Sequence, residues 1–208
     1  LGAVQQFADR DQSLNSKFKI ATFEEVIELA KRKSVEKKRT IGIYPETKHP
    51  TYHQTIGLAL EDRLVDTLAR AGWNHRDAPV FIQSFETASL RYMRGITKVK
   101  LVQLIGASGV ALDGSLEFNP PFDRPYDWAV TGDARFFRDQ LTAQGLAEVR
   151  LYADGIGLWK RYVASAMGDA SLIGLAAYNE ANRKLLPPSS LIDSHHMFSA
   201  MGSLRAAT

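Results

Sequence analysis

Three short apolar runs, Thr40-Ile41-Gly42-Ile43-Tyr44, Val80 to Phe85 and Val99 to Ile105, are separated by segments of helical period. This alternation constrains the fold more than any other feature of the chain. Leu60, Leu64, Val65, Leu68 and Ala71 predict a helix between the first two runs, with Gly72 at its C′ position. Ala88 to Arg94 predict a short helix between the second and third, stopped by Gly95. The order is β-α-β-α-β. Strands that are apolar throughout need cover on both faces, and a parallel sheet clad in helices provides it. Pro45 lacks the N–H needed for pairing, so it should end the first strand.

Upstream, Thr22-Phe23-Glu24-Glu25 fits a capping box. Phe23, Val26, Ile27 and Ala30 then recur at helical spacing, which predicts a helix over 23–33. The segment 31–39, KRKSVEKKR, holds six basic residues and one acidic, a local charge of +5 in a chain of net charge +3. The remainder is therefore net negative. A nucleic-acid binder spreads Lys and Arg over a whole face, so no nucleic-acid partner is expected. The basic segment reads as a solvated helix end, where cations suit the helix dipole.

Downstream, 106–134 predicts a long loop excursion rich in turn signals, with Phe118, Phe122, Tyr126 and Trp128 interspersed. Those aromatics either pack the loop down or cover the mouth of a site. Residues 134–146 look helical, with Gly145 as a stop, and Val149–Tyr152 and Tyr162–Ser165 are weak strand candidates. Residues 166–182 are rich in small residues, and Pro187-Pro188 opens a last helical start.

The chain has 208 residues, 45% of them hydrophobic and 24% charged, which suits one folded domain over 1–208. It has no Cys, which excludes disulfides, thiolate metal sites and Cys nucleophiles. No run approaches the roughly 20 apolar residues of a membrane span. The first residues, LGAVQQFADRDQ, show no signal peptide.

Polar residues cluster where the strands end: Glu46 and Lys48 after the first, Gln83, Ser84 and Glu86 at the second, Gln103 late in the third. Parallel α/β folds bind ligands at the carboxyl ends of their strands. Gly42, Tyr44 and Glu46 share one strand parity, so Glu46 presents its carboxylate at the rim and Gly42 leaves room below it. A carboxylate suits a hard cation such as Ca²⁺ or Mg²⁺, but such ions need several oxygens. Lys48 can pair with a phosphate as a point charge or, in a barrel, form a Schiff base. His49 and His53 are four apart, yet Pro50 argues against a helix across them, and a metal pair is disfavoured. His75 reads as a solvated loop residue. His195 and His196 are adjacent and diverge on any regular element.

The segment IGIYPETKHPTYHQTIGLALEDRLVDTL closely resembles the glycerophosphodiester phosphodiesterase family, especially its larger bacterial, periplasmic type. TFEEVIELAKRK, PVFIQSFE, KLVQLI, DGIGLWKRY and NRKLLPPSSLI continue the match in order, over roughly residues 5–192. The resemblance implies a TIM-type (β/α) barrel in which a divalent cation, Ca²⁺ or Mg²⁺, binds a glycerophosphodiester. It implies Glu46 as a metal carboxylate, Lys48 facing the substrate phosphate, and Gln83 and Ser84 near the substrate. It also implies hydrolysis to glycerol 3-phosphate and an alcohol in a periplasmic setting. The family's His-Arg-Gly motif, its Glu-x-Asp metal pair and its second catalytic His are absent from this chain, so neither catalytic histidine is assigned. A partial barrel is therefore expected, without the first two strands and the last, inactive alone and open to pairing with another chain at its edges. The competing expectation is a non-catalytic derivative that uses the partial barrel for binding or assembly.

Overall fold

The computed structural model describes residue 11 and residues 13–14, 17–163 and 202–203. The chain divides into two compact units, Leu1–Ile41 and Gly42–Thr208.

In the first unit, α1 spans Phe23–Lys37. The capping box forms as expected: the Glu25 N–H donates to Thr22 Oγ1 at 3.2 Å, and the Thr22 N–H donates to Glu25 Oε2 at 2.8 Å. These bonds satisfy donors that a helix start leaves orphaned. The helix runs four residues past its expected end because its basic tail carries its own counter-charges. Lys31 pairs with Glu28, and Lys33 and Lys37 pair with Glu36. Lys38, at φ 52°, then takes the left-handed conformation that closes a helix.

In the second unit, helices α2 (Pro50–Thr55) and α3 (Glu61–Arg70) precede β1 (Phe81–Ser84), α4 (Thr87–Ile96) and β2 (Lys100–Ile105). The excursion follows, with a small antiparallel hairpin of β3 (Gly109–Val110) and β4 (Leu116–Glu117) and a helix α5 (Tyr126–Thr131). A 3₁₀ turn over Phe137–Leu141, α6 (Ala143–Arg150), β5 (Gly155–Leu158) and a 3₁₀ turn over Lys160–Tyr162 come next, and β6 (Gly202–Ser203) is last.

The main sheet has the order β1-β2-β5-β6. β1, β2 and β5 are parallel, with Gln83 beside Val102 and Val102 beside Gly155. β6 joins β5 antiparallel, a pairing that the residue pattern near the C-terminus did not suggest. One face of the sheet carries Ile82, Ser84, Leu101, Gln103, Ile105, Ile156 and Leu158, all buried. α4 lies against β1 and β2, with Leu90 and Met93 fully buried three residues apart. Burying each such side chain contributes about 1.5–3 kcal/mol. On the other face, Gly157 makes room for Leu104 and Val102. A Cβ added there would lie 2.7 Å from Leu104 Cδ2.

The structure is thus mixed α/β around a parallel sheet, with several local departures from the sequence reading. The run at 40–44 is not a full strand. Two isolated parallel bridges join this segment and the residues after it to the next strand, Ile43 with Val80, just before β1, and Glu46 with Gln83 of β1. Pairing thus continues past Pro45, whose missing N–H does not matter because its carbonyl is the group used: it accepts from the Gln83 N–H at 2.9 Å. Gly42 is needed for a reason other than an open lumen, since a Cβ there would sit 2.7 Å from the Pro79 carbonyl oxygen. Gly72 closes α3 at φ +75°, as expected. Gly95 does not stop α4, which continues to Ile96. Gly145 lies inside α6, where the Asp139 carbonyl comes too close for any side chain. Val149–Tyr152 is the end of α6 and its following turn, and the strand begins at Gly155. Tyr162 ends a 3₁₀ turn. The readings for 166–182, Pro187-Pro188 and His195-His196 lie outside the described residues.

Candidate functional site

The parallel pairing of Glu46 with Gln83 puts the PETK and QSF segments side by side at the carboxyl ends of their strands. Four backbone bonds hold the register. Ile43 N–H donates to Pro79 O, Phe81 N–H to Ile43 O, Gln83 N–H to Pro45 O and Thr47 N–H to Gln83 O, at 2.9–3.1 Å. Glu46 and Lys48, the expected cation and phosphate contacts, both lie exposed at this end. Among the described residues neither makes an ion pair or a side-chain hydrogen bond.

Gln83 and Ser84 are brought to the same place, but their side chains face the protein. Gln83 is half-buried and its amide Nε2 donates to the Tyr44 carbonyl at 3.2 Å. Ser84 has 0% exposure, and its hydroxyl donates to the Thr47 carbonyl at 2.9 Å. The Glu86 N–H donates back to Ser84 Oγ at 3.3 Å, and the Thr47 and Ser89 hydroxyls lie 3.3 Å apart. Ser84 therefore holds the Glu46–Lys48 segment in place, and in this structure it is too deep to meet a ligand. Phe85 is exposed at 38% and sits edge-on to Phe137, with ring centroids 5.7 Å apart.

Gln103, also fully buried, gives its amide Nε2 to the Phe85 carbonyl at 2.8 Å and the Leu104 carbonyl at 2.9 Å, while Tyr152 Oη donates to its Oε1 at 2.9 Å. Burial raises the Tyr152 hydroxyl well above the ordinary tyrosine range. This amide satisfies carbonyls that the diverging strand ends would otherwise leave orphaned.

Glu86 and His49 are the residues that the strand-end reading undervalued. Glu86, at 2% exposure, accepts from the Thr51 N–H at 3.0 Å and lies 3.9 Å from His49 Nδ1. Burial pushes its carboxyl above the usual range, although the Thr51 bond opposes this. Nearby, Asp127 accepts from the Thr87 hydroxyl and the Ala88 N–H, both at 2.8 Å, and Trp128 Nε1 donates to Thr87 Oγ1 at 3.0 Å. These bonds dock α5 onto the start of α4, so at least these excursion residues serve packing. The signal for His49 was Pro50, read as a helix breaker. Proline is well placed at a first helical position, where its missing N–H has no partner to lose, and Pro50 opens α2 with His49 as its N-cap. His49 and His53 share a helical turn, but their rings find different neighbours: His49 meets Tyr126 and His53 meets Tyr52.

The described residues do not by themselves complete a cation site. Among the described residues no group of three or more His, Asp or Glu side chains converges on one point. Glu46 is a single exposed carboxylate where a hard cation needs several oxygens. No helix among the described residues is long and apolar enough to cross a membrane.

No protein-family model matches the chain. The chain is 29% identical over 208 positions to glycerophosphodiester phosphodiesterase GDPD6 of Arabidopsis thaliana, covering 94% of this chain and 46% of that protein. It is 28% identical over 164 positions to a glycerophosphodiester phosphodiesterase of Haemophilus influenzae, covering 74% of this chain and 41% of that protein. The chain thus spans less than half the length of these curated relatives. One is a plant protein and the other bacterial, so the likeness does not single out a bacterial periplasmic type. The chain is thus similar, at 28–29% identity, to two proteins that carry the name glycerophosphodiester phosphodiesterase.

Proposed function

We propose that this chain carries the phosphate-facing part of a glycerophosphodiester hydrolase, acting on diesters that release glycerol 3-phosphate and an alcohol. The observation that carries the reading is the pairing of Glu46 with Gln83, which sets PETK beside QSF at the strand ends. Lys48 offers a cation to the diester phosphate. Glu46 is one prospective ligand of Ca²⁺ or Mg²⁺ in an assembly that supplies further carboxylates, and the sheet is the corresponding part of a (β/α) barrel. A periplasmic setting and pairing with another chain along the open sheet edge belong to the same proposal.

The chain alone should hydrolyse little or nothing, because it lacks the family's two histidines and its Glu-x-Asp pair. A direct assay with glycerophosphocholine and Ca²⁺ or Mg²⁺ tests this. Turnover like that of the Haemophilus influenzae relative would refute the inactivity. In a form extended by the family's N-terminal strands, Glu46→Ala should abolish turnover, and unchanged activity would refute the cation role. The alternative, a partial barrel used only for binding, draws on the same single carboxylate. It predicts that the extended form binds the diester but never hydrolyses it.

A further inference from the structure

We propose that His49 is an additional ligand-facing group of the strand-end site, its imidazolium held by the buried carboxylate of Glu86 so that it takes a phosphodiester oxygen beside Lys48. The proposal rests on the reading of that site as one for a phosphodiester, and it adds a residue to it.

Three observations lead to it. First, His49 has φ +50°, one of two non-glycine residues with positive φ among those described. Left-handed backbone is unfavourable for a residue with a Cβ and persists only where the surroundings hold it. Second, the side chain has neighbours on its inner side. Its Nδ1 lies 3.9 Å from Glu86 Oε1, and its ring stands edge-on to Tyr126 with centroids 5.7 Å apart. Third, the His49 side chain is 58% exposed while that of Glu86 is 2% exposed. A buried carboxylate behind an exposed imidazole places a negative charge on the inner side of the ring and leaves its outer side to solvent. His49 directly follows Lys48, so the two cations sit at one strand end.

The groups that face His49 come from three elements. Glu86 follows β1, Tyr126 belongs to α5, and Thr51 of α2 shares the Glu86 carboxylate. Asp127 of α5 adds negative charge around Glu86, and Lys48 adds positive charge from the chain itself. When His49 is charged, the site holds two cations for the single charge of a phosphodiester. When it is neutral, the site holds one.

The probe is glycerophosphocholine, whose diester keeps its charge from pH 6 to pH 8, so ligand titration does not confuse the result. Calorimetry on the chain should show binding about tenfold tighter at pH 6 than at pH 8, the scale of one charge-assisted hydrogen bond. His49→Asn tolerates the left-handed backbone and removes the cation. It should bind at the weaker pH 8 affinity at both pH values, while His75→Gln, in an exposed loop, should behave as wild type. Wild-type affinity and pH profile in His49→Asn, with binding about tenfold weaker in Lys48→Ala, would overturn this proposal and leave the phosphodiester site standing. No binding by the wild-type chain at either pH would overturn both. Glu86→Gln tests the holding role. Diester binding at pH 6 should weaken toward that of His49→Asn, and wild-type affinity in Glu86→Gln would show that Glu86 does not hold the ring.

Discussion

At the amino ends of β2 and β5, Asp154 accepts from Arg76, Arg94 and the Leu101 N–H. At the carboxyl end of the 43–46 segment, Glu46 and Lys48 lie in solvent with no ion pair among the described residues, and His49 has left-handed backbone. Asp154 is paired at one end of the sheet, and Glu46 and Lys48 are without such partners among the described residues at the other. Arg94 also donates to the Tyr152 carbonyl at 3.0 Å, so the closed end ties α4, β2 and the turn before β5 together. A closed network stabilises the fold, and an open set of charges on a held backbone is suited to a ligand. The two ends should therefore answer mutation in opposite currencies, stability and binding.

Asp154→Ala should have the largest effect on stability. It removes the acceptor of two guanidinium groups and of a backbone N–H, and leaves Arg94 partly buried without its counter-charge. A loss of about 2–3 kcal/mol in urea unfolding is expected. Glycerophosphocholine affinity, measured on the fraction still folded, should stay within twofold of wild type. A loss of affinity with unchanged stability would invert the division between the ends.

Ser84→Ala comes next and probes the join between the two functions. The buried hydroxyl donates to Thr47 O and accepts from the Glu86 N–H. Its removal should cost about 1–2 kcal/mol. The same change should weaken diester binding severalfold, because the segment bearing Lys48 loses an anchor. If stability falls and affinity does not, Ser84 supports only the fold.

Glu86→Gln should alter the pH dependence of stability. Burial raises the Glu86 carboxyl above its ordinary value of 4.5 in the folded protein. The folded state therefore holds its proton more tightly than the unfolded chain does. The stability from this group is present in acid and is lost as pH rises from about 4.5 through the folded value. Gln has no proton to lose. The unfolding free energy of wild type relative to Glu86→Gln should fall across that window and level off above it. A flat difference from pH 4 to pH 8 would contradict a raised Glu86 carboxyl.

The contrast between the ends also explains what could be read from residues alone. The order of α3, β1, α4 and β2 was legible because each element repeats its own period and is bounded by turn residues. Glu46, Lys48, Gln83, Ser84 and Glu86 were legible as strand-end residues because two is the only side-chain period a strand has. Which of them faced outward was not legible. Ser84 and Gln83 turn inward because Thr47 and Tyr44 offer carbonyls at bonding distance, and those carbonyls arrive from a segment almost forty residues earlier. His49 was obscured by Pro50, whose meaning depends on whether a helix begins or continues there. Gly145 was misread for a similar reason, since a tertiary approach by Asp139 leaves the same mark on the sequence as a helix stop.

The smallest stability changes belong to Glu46→Gln and Lys48→Ala, and they sharpen the comparison most. Both side chains are exposed, and neither has a hydrogen bond or ion pair among the described residues to lose. The backbone around them is fixed by Gln83 and Pro45 through main-chain bonds that no side-chain substitution removes. Surface changes of this kind stay within about 0.5 kcal/mol. Lys48→Ala should nevertheless weaken glycerophosphocholine binding about tenfold, the loss of one charge-assisted contact. Glu46→Gln should leave that affinity unchanged or slightly improved when no divalent cation is added, because it removes a negative charge from the proposed phosphate site. Calcium titration separates the two variants. Any strengthening of diester binding by Ca²⁺ should vanish in Glu46→Gln and persist in Lys48→Ala. A drop of more than about 1 kcal/mol in the stability of either variant would mean that the open end is also part of the scaffold, and the division between the two ends would fail.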